Sequence, residues 1–363
     1  VLFQLMNKDT PWLLFDCYED EFGFTSGKEI EWYISLRPIG YDNIGDFLDA
    51  RKAPKHRKHI AELLKKYGCE STENFLRVTH ALSLNDTFWV KEPESSLTWN
   101  EVSLYRNEFD ELVSNAAFDG VISSTTLSST SPEFGTDGAY AKCWQRENDT
   151  VYLYKSGSDT YEIEPLSEFL ASQVADILCQ NSVGYDLTFY HGRLASKCKL
   201  FTNEQFGLVK MLALPVPNRR NPAALLRFAA QYGSEDLMRR MFVLDALILN
   251  IDRHLGNVGF LFDNDTMRIT GMAPIYDNNR SLLFYFDTET LEKRPEWCIS
   301  KCEPRISGDF IKTAQAVLTD ELRAKLKNMA AFQFQPPVGI NVPMDRLEAL
   351  NRIVNIQLNK ILQ

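Results

Sequence analysis

The sequence predicts an α+β fold in two parts, a mixed N-terminal part with a β-sheet and helices and a mostly helical C-terminal part. Segments that alternate apolar and polar residues, the pattern of strands, concentrate in the first part, while apolar residues at helical spacing dominate the second. A length of 363 residues suits two domains. Because the proline-containing stretch 217–222 separates the two patterns, we expect domains at 1–215 and 216–363.

The composition is that of a folded protein and argues against several classes of function. Thirty-nine Lys and Arg against 49 Asp and Glu give a net charge of −10, so direct binding of nucleic acid is not expected. No apolar run approaches the roughly 20 residues of a membrane-spanning helix, and no secretory signal is recognisable. Seven scattered cysteines favour reduced thiols. We therefore expect a cytoplasmic protein without membrane contact.

The N-terminal part opens with strand patterns and continues into helices. Residues 12–15 and 32–35 are β-like, and apolar positions among the basic residues of 44–67 predict an amphipathic helix or a helix pair. Residues 85–113 are expected to pack these helices onto a sheet. Residues 1–4 look like part of an engineered protease-cleavage sequence, and they are left out of the fold prediction.

A flexible loop, a hairpin and a helix follow in that order. Residues 123–138 are too polar for a core element and predict a loop. Residues 139–144 and 150–154 alternate as two strands joined by turn-forming residues, and this hairpin ends at Lys155. Apolar positions within 167–178 then predict a helix.

The C-terminal part begins with a helix that should be buried along one side. Ser234 and the acidic residues behind it are a plausible helix start, and apolar residues recur at helical spacing as far as Ile248. A loop and a hairpin at 258–270 follow, and residues 310–363 are mostly helical by the same criterion.

Three oxygen-bearing side chains flank this second hairpin, namely Asp252, Asn257 and Asp277. Phosphoryl transfer from ATP needs a carboxylate at the acceptor hydroxyl and hard oxygen ligands for magnesium. By itself the segment around Asp252 is a weak match and favours a turn with an Asx cap and an Arg–Asp pair. What favours kinase-like chemistry is the order of motifs, because a flexible loop, a strand-end lysine and a helix bearing Glu168 precede it.

In this order of motifs, residues 125–278 resemble the HipA-like serine/threonine kinases, which have a two-lobed protein-kinase-like fold. The resemblance implies that Asp252 is the catalytic base or orients the acceptor hydroxyl, and that Asn257 and Asp277 bind Mg²⁺. The metal motif ends in Tyr276-Asp277, and no Asp-Phe-Gly occurs there. Lys155 would bind the ATP phosphates and Glu168 would pair with it, although Lys142 competes for the phosphate contact. The residues assigned to nucleotide binding are Gly135, Gly138, Lys142, Lys155 and Glu168.

The resemblance also implies regulation and partners. Kinases of this type have a loop similar to 123–138 that can be autophosphorylated, and the candidate acceptors are Ser123, Ser124, Ser128, Ser129 and Ser131. A protein substrate with a serine or threonine acceptor is expected, together with an antitoxin or another regulatory protein, because family members are often partnered with a DNA-binding antitoxin.

Each of these site residues also has an ordinary structural interpretation. Without the resemblance, Lys155 is a surface charge and Glu168 a first-turn carboxylate favoured by the helix dipole. Arg253 either neutralises a phosphate or pairs with a carboxylate, and His254 is expected to brace the loop by hydrogen bonding. At the level of function, the alternatives are a nucleotide-binding pseudokinase that holds a partner and a phosphoinositide-type lipid kinase.

Overall fold

The structure is a computed structural model that describes residues 1–19, 25–54, 59–121 and 131–363. It combines antiparallel strands with helices, which confirms the predicted α+β class. The contacts divide the chain into two compact units, and both are discontinuous in sequence. The predicted division after residue 215 cuts the chain only once, and it stays a prediction. The first unit comprises Val1–Lys155, Leu200–Val209 and Leu261–Ile269, and the second comprises Ser156–Lys199, Lys210–Phe260 and Thr270–Gln363.

The elements follow one another in the order that their numbers give. The strands are β1 (Leu2–Asn7), β2 (Thr10–Glu19), β3 (Thr25–Trp32), β4 (Phe88–Lys91), β5 (Lys142–Glu147), β6 (Thr150–Ser156), β7 (Asp186–Tyr190), β8 (Arg193–Lys199), β9 (Phe206–Lys210), β10 (Gly259–Asp263) and β11 (Arg268–Met272). The helices are α1 (Ile44–Asp49), α2 (Ile60–Lys66), α3 (Thr72–Thr79), α4 (Trp99–Val102), α5 (Glu111–Asp119), α6 (Glu164–Leu178), α7 (Pro222–Ala230), α8 (Glu235–Ile248), α9 (Thr288–Lys293), α10 (Pro295–Ile299), α11 (Phe310–Val317), α12 (Asp320–Asn328) and α13 (Met344–Leu362).

The first unit is built on a four-stranded sheet with the order β3-β2-β1-β4. Strand β1 pairs antiparallel with both β2 and β4, and Phe3 and Leu5 are buried in the core between this sheet and the helices. Residues 1–4 therefore belong to the fold. The helix pair predicted for 44–67 is present as α1 and α2, whereas the strand predicted at 32–35 is wrong because β3 ends at Trp32.

The hairpin of β5 and β6 has the register that its turn residues dictate. Lys142 lies opposite Lys155, and Glu147 lies opposite Thr150. Asn148 and Asp149 between them have φ angles of 47° and 65°. Asn and Asp tolerate this left-handed conformation, and a two-residue turn with positive φ at both positions matches the twist of the strands.

The second unit is organised around α8, which packs against α6, α7, α11 and α13. It begins directly after Ser234, as predicted. Met241, Leu244 and Ile248 are fully buried, and so is most of the side chain of Asp245. Among the described residues, none of the helices combines the length and the apolar character needed to cross a membrane.

Candidate active site

The loop that bears Asp252 starts where α8 ends. Leu249 closes the helix in the left-handed conformation, with φ of 53°, and turns the chain out of the helical path. The buried Asn250 then accepts a hydrogen bond from the Asp252 amide at 3.0 Å and donates to Asp245 at 3.2 Å. This local bonding fixes the backbone of Asp252 while its side chain keeps 18% of its surface exposed.

Arg253 lies beneath the loop and joins three segments of the second unit. Its guanidinium group is 3% exposed and binds both carboxylate oxygens of Asp245 at 3.0 Å. It also donates to the carbonyl oxygens of Asn257 at 3.0 Å and Tyr276 at 2.9 Å. Burial lowers the pKa of Arg253, but the ion pair with Asp245 outweighs it and raises the pKa above its ordinary value. Of the two roles open for Arg253, the structure therefore supports pairing with a carboxylate.

Asn257 and Asp277 are positioned by bonds to neighbouring groups. The Asn257 carboxamide donates to the Asp252 carbonyl oxygen at 3.4 Å. Asp277 has a left-handed backbone, with φ of 58°, and its amide donates to the hydroxyl of the buried Tyr185 at 3.1 Å. Asn257 and the residue before Asp277 are thus both bonded to Arg253, the neighbour of Asp252 in the chain, and the predicted roles of the three site residues stay predictions.

His254 braces the loop, as the sequence suggested. Its Nδ1 accepts a hydrogen bond from the Gly256 amide at 3.0 Å, within a short 3₁₀ turn formed by Leu255–Asn257. Burial lowers the pKa of His254, which favours the neutral imidazole that this acceptor role requires.

The donor set of Asn257 and Asp277 suits magnesium. Within 1–19, 25–54, 59–121 and 131–363, no group of three or more His, Cys, Asp or Glu side chains is placed to hold a metal ion. One carboxylate and one carboxamide match the way Mg²⁺ binds beside a nucleotide, since it usually keeps waters and phosphate oxygens as its other ligands.

Two further arginines contact the carboxylate of Asp252. Arg305 Nη1 lies 2.9 Å from Oδ1, and Arg280 Nη1 lies 3.6 Å from Oδ2. The two side chains are 54% and 38% exposed. Unlike Arg253, they reach the solvent at the same point as the carboxylate does.

Glu168 is a buried carboxylate rather than a first-turn one. Helix α6 begins at Glu164, so Glu168 lies one turn further in, and it is fully buried. Ser196 on β8 donates a hydrogen bond to it at 2.6 Å. The helix-dipole interpretation of Glu168 is therefore wrong, while its nucleotide-related role stays a prediction.

The lysines predicted to contact ATP lie in the first unit, both on the β5–β6 hairpin. Lys142 and Lys155 are each 7% exposed, so Lys155 is not a surface charge. Lys142 Nζ donates to the Asp137 carbonyl oxygen at 2.7 Å. Gly138 has φ of +101°, and a Cβ there would collide with Lys142 Nζ. Glycine suits position 138 mainly because side chains rarely adopt this φ, since the end of the lysine could move aside.

Gly135 has a structural reason to be glycine, and its contact with nucleotide stays a prediction. It ends a 3₁₀ turn, and a Cβ there would lie 2.5 Å from the Leu82 carbonyl oxygen. Among the candidate phosphorylation sites, Ser131 is 5% exposed. The other four, Ser123, Ser124, Ser128 and Ser129, lie outside the described residues.

Sequence reasoning missed four residues that support the site. A carboxylate inside an apolar helical pattern signals a buried partner, and this could have singled out Asp245. Tyr185, Arg280 and Arg305 carry no comparable signal, because only the fold brings them to Asp277 and Asp252.

Comparison with known proteins shows which solved structures share this fold. No family model matches the sequence, and no curated protein matches it. A solved structure of the toxin–antitoxin system HipA, HipB and operator DNA from Shewanella oneidensis MR-1 matches with a TM-score of 0.56 at 12% identity, over 100% of this chain and 99% of that chain. The crystal structure of the Helicobacter pylori proinflammatory kinase CtkA matches with a TM-score of 0.46 at 19% identity, over 61% of this chain and 91% of that chain. The full-length match shows that this chain has the α+β fold of the HipA-like kinases.

Proposed function

We propose that this protein is an ATP- and magnesium-dependent serine/threonine protein kinase of the HipA type. One observation carries the proposal. A single buried guanidinium, that of Arg253, holds the carbonyl oxygens of Asn257 and Tyr276 together beneath the solvent-reaching Asp252. The fold supports the same conclusion, since it is that of HipA-like kinases.

In this mechanism Asp252 orients the acceptor hydroxyl and takes its proton as the oxygen attacks the γ-phosphorus of ATP. The bond between the γ-phosphorus and the bridging oxygen breaks, and ADP leaves. Asn257 and Asp277 would hold Mg²⁺, which supplies positive charge to the phosphate oxygens when it is bound. Lys155 and Lys142 are the proposed phosphate contacts of the first unit, and Glu168, Gly135 and Gly138 complete the proposed nucleotide-binding set.

Radiolabelled ATP tests the proposal on the full-length protein, with and without excess EDTA. We expect magnesium-dependent labelling of the protein itself or of a serine/threonine substrate. Mass spectrometry would locate any self-modification among the serines of 123–131. The label should be lost in Asp252→Asn and Asp277→Asn but retained in Asp186→Asn, an exposed control on β7. Thermal stabilisation by MgATP without any phosphate transfer would instead indicate a pseudokinase. Transfer of label to phosphoinositide vesicles would indicate a lipid kinase.

A regulatory protein partner is part of the same proposal. The structure that matches over the full length contains HipA together with HipB and operator DNA. We propose that this chain likewise binds an antitoxin-like protein. Co-purification with the products of neighbouring genes would identify it, and a chain that purifies alone under those conditions would argue against it.

A further inference from the structure

We propose that Arg280 and Arg305 recognise an anionic side chain beside the acceptor hydroxyl, so that the preferred substrate is an acidic or already phosphorylated serine/threonine segment. The inference deepens the proposed kinase function and rests on it. The feature that carries it is the local charge around Asp252, where two guanidinium groups meet one carboxylate.

Two carboxylates nearby have other partners or roles, and Lys210 is a further cation that acts on His254. Asp245 neutralises Arg253 in a buried bidentate pair, and Asp277 belongs to the proposed metal site. Asp252 therefore balances only one of the two arginine charges at the point where the acceptor would bind. Because the whole chain carries a net charge of −10, attraction of an acidic segment has to be local.

Arg280 is anchored through its backbone, and both guanidinium groups reach the solvent. The Arg280 carbonyl oxygen accepts a hydrogen bond from the Ile251 amide at 3.2 Å, and the Arg280 guanidinium lies 5.6 Å from the ring centre of the buried Phe284. Arg305 stands between Pro304 and Ile306, which line the same small cavity as Arg253. The hydrogen bond to Ile251 thus fixes the backbone of Arg280, and the exposed ends of both arginines are open to a ligand.

Binding of the acceptor would exchange partners at this point. The hydroxyl has to hydrogen-bond to the Asp252 carboxylate, which Arg305 now contacts at 2.9 Å. An anionic side chain on the substrate would give Arg305 and Arg280 a replacement partner as Asp252 turns to the hydroxyl. Arginine suits carboxylates and phosphates alike, because its planar donors bind two oxygens at once.

The test compares matched serine peptides that carry Gln, Glu or phosphoserine next to the acceptor. We expect kcat/KM to be about tenfold higher with an anionic neighbour, and the larger ratio of the two identifies the carboxylate or the phosphate as its source. The ratio should fall towards one in Arg305→Gln and in Arg280→Gln. It should stay unchanged in Arg227→Gln, an exposed arginine on α7. Equal use of all three peptides, or a preference that survives both substitutions together, would overturn the inference.

A binding measurement separates failure of this inference from failure of the kinase assignment. Fluorescence anisotropy of the labelled peptides, with MgATP replaced by a non-hydrolysable analogue, needs no phosphate transfer. Tighter binding of the anionic peptides that is lost in Arg305→Gln would support the anion site even if no peptide is phosphorylated. Binding that ignores the peptide charge would overturn it even if the protein proves to be a kinase.

Discussion

The second unit holds two aspartate–arginine clusters a few residues apart, and they differ in almost every physical respect. Asp245 and Arg253 form a dry bidentate pair, whereas Asp252 meets Arg280 and Arg305 at the surface. Breaking a buried pair leaves an uncompensated charge, while an exposed pair contributes little to stability. The comparison teaches that the first cluster shapes the loop and that the second is free to exchange partners.

The largest effect on phosphate transfer should come from removing the charge of Asp252, the centre of the exposed cluster. Asp252→Asn keeps the shape of the side chain but removes the proton acceptor, so we expect transfer from ATP to fall by about 10³-fold or more. The free energy of unfolding should change by only about 0–1 kcal/mol, because the pair is partly exposed. Denaturant unfolding beside the kinase assay checks both numbers. A variant that is inactive only because it is unfolded would break the comparison.

The buried cluster should respond in the opposite way. Arg253→Met strands Asp245 in the core and leaves the carbonyl oxygens of Asn257 and Tyr276 without their donor. We expect unfolding to become easier by about 3–5 kcal/mol. Adding Asp245→Leu should recover much of this loss, since an apolar pair of similar volume is often neutral. If Arg253→Met is as stable as Arg227→Met, the pair does not support the loop.

Asp277 is an intermediate case, because its backbone is held by the buried Tyr185 while its side chain is a proposed ligand of Mg²⁺. Tyr185→Phe removes the hydroxyl that accepts the Asp277 amide and should cost about 1–3 kcal/mol of stability. We also expect the magnesium concentration needed for half-maximal transfer to rise. A loss of stability with an unchanged magnesium requirement would show that the hydroxyl supports only the fold.

The smallest effect is expected at the rim. Arg305→Gln removes an ion pair whose arginine is 54% exposed, so stability should change by less than about 1 kcal/mol. Any change should shrink further when the salt concentration is raised, because solvent-exposed charges are screened. A larger loss of stability that does not depend on salt would show that Arg305 behaves like the buried pair of Asp245 and Arg253. Thermal unfolding of this variant and of the unsubstituted protein at two salt concentrations distinguishes an exposed ion pair from a buried one.

The sequence predicted the elements whose signals are local. The hairpin of β5 and β6, the start of α8 and the helix pair at 44–67 follow from turn residues, acidic first-turn residues and apolar spacing, and all three are present. The sheet of the first unit was largely missed, since β4 lies far along the chain from the strand that it pairs with. The pairing register of strands that are distant in sequence depends on the whole core. A short stretch of sequence therefore does not determine it.

The same division holds for the site. Asp252, Asn257 and Asp277 could be proposed because they lie around one hairpin in the chain. Arg305 could not, since it reaches Asp252 from the segment between α10 and α11, where neither spacing nor composition marks it. Residues that lie close together in the chain could therefore be proposed as one site, whereas an arginine that only the fold brings to Asp252 could not.

The tip of the β10–β11 hairpin, residues 261–269, belongs to the first unit although its sequence lies deep in the second half of the chain. There the Asn264 carbonyl oxygen accepts a hydrogen bond from the Asn7 carboxamide at 2.6 Å, and Asn264 is fully buried. On the ribosome the N-terminal sheet must therefore wait for more than 260 residues to emerge before this contact can close. A fragment that stops at residue 215 would lack the tip, so it should be a poor substitute for the first unit when the protein is dissected.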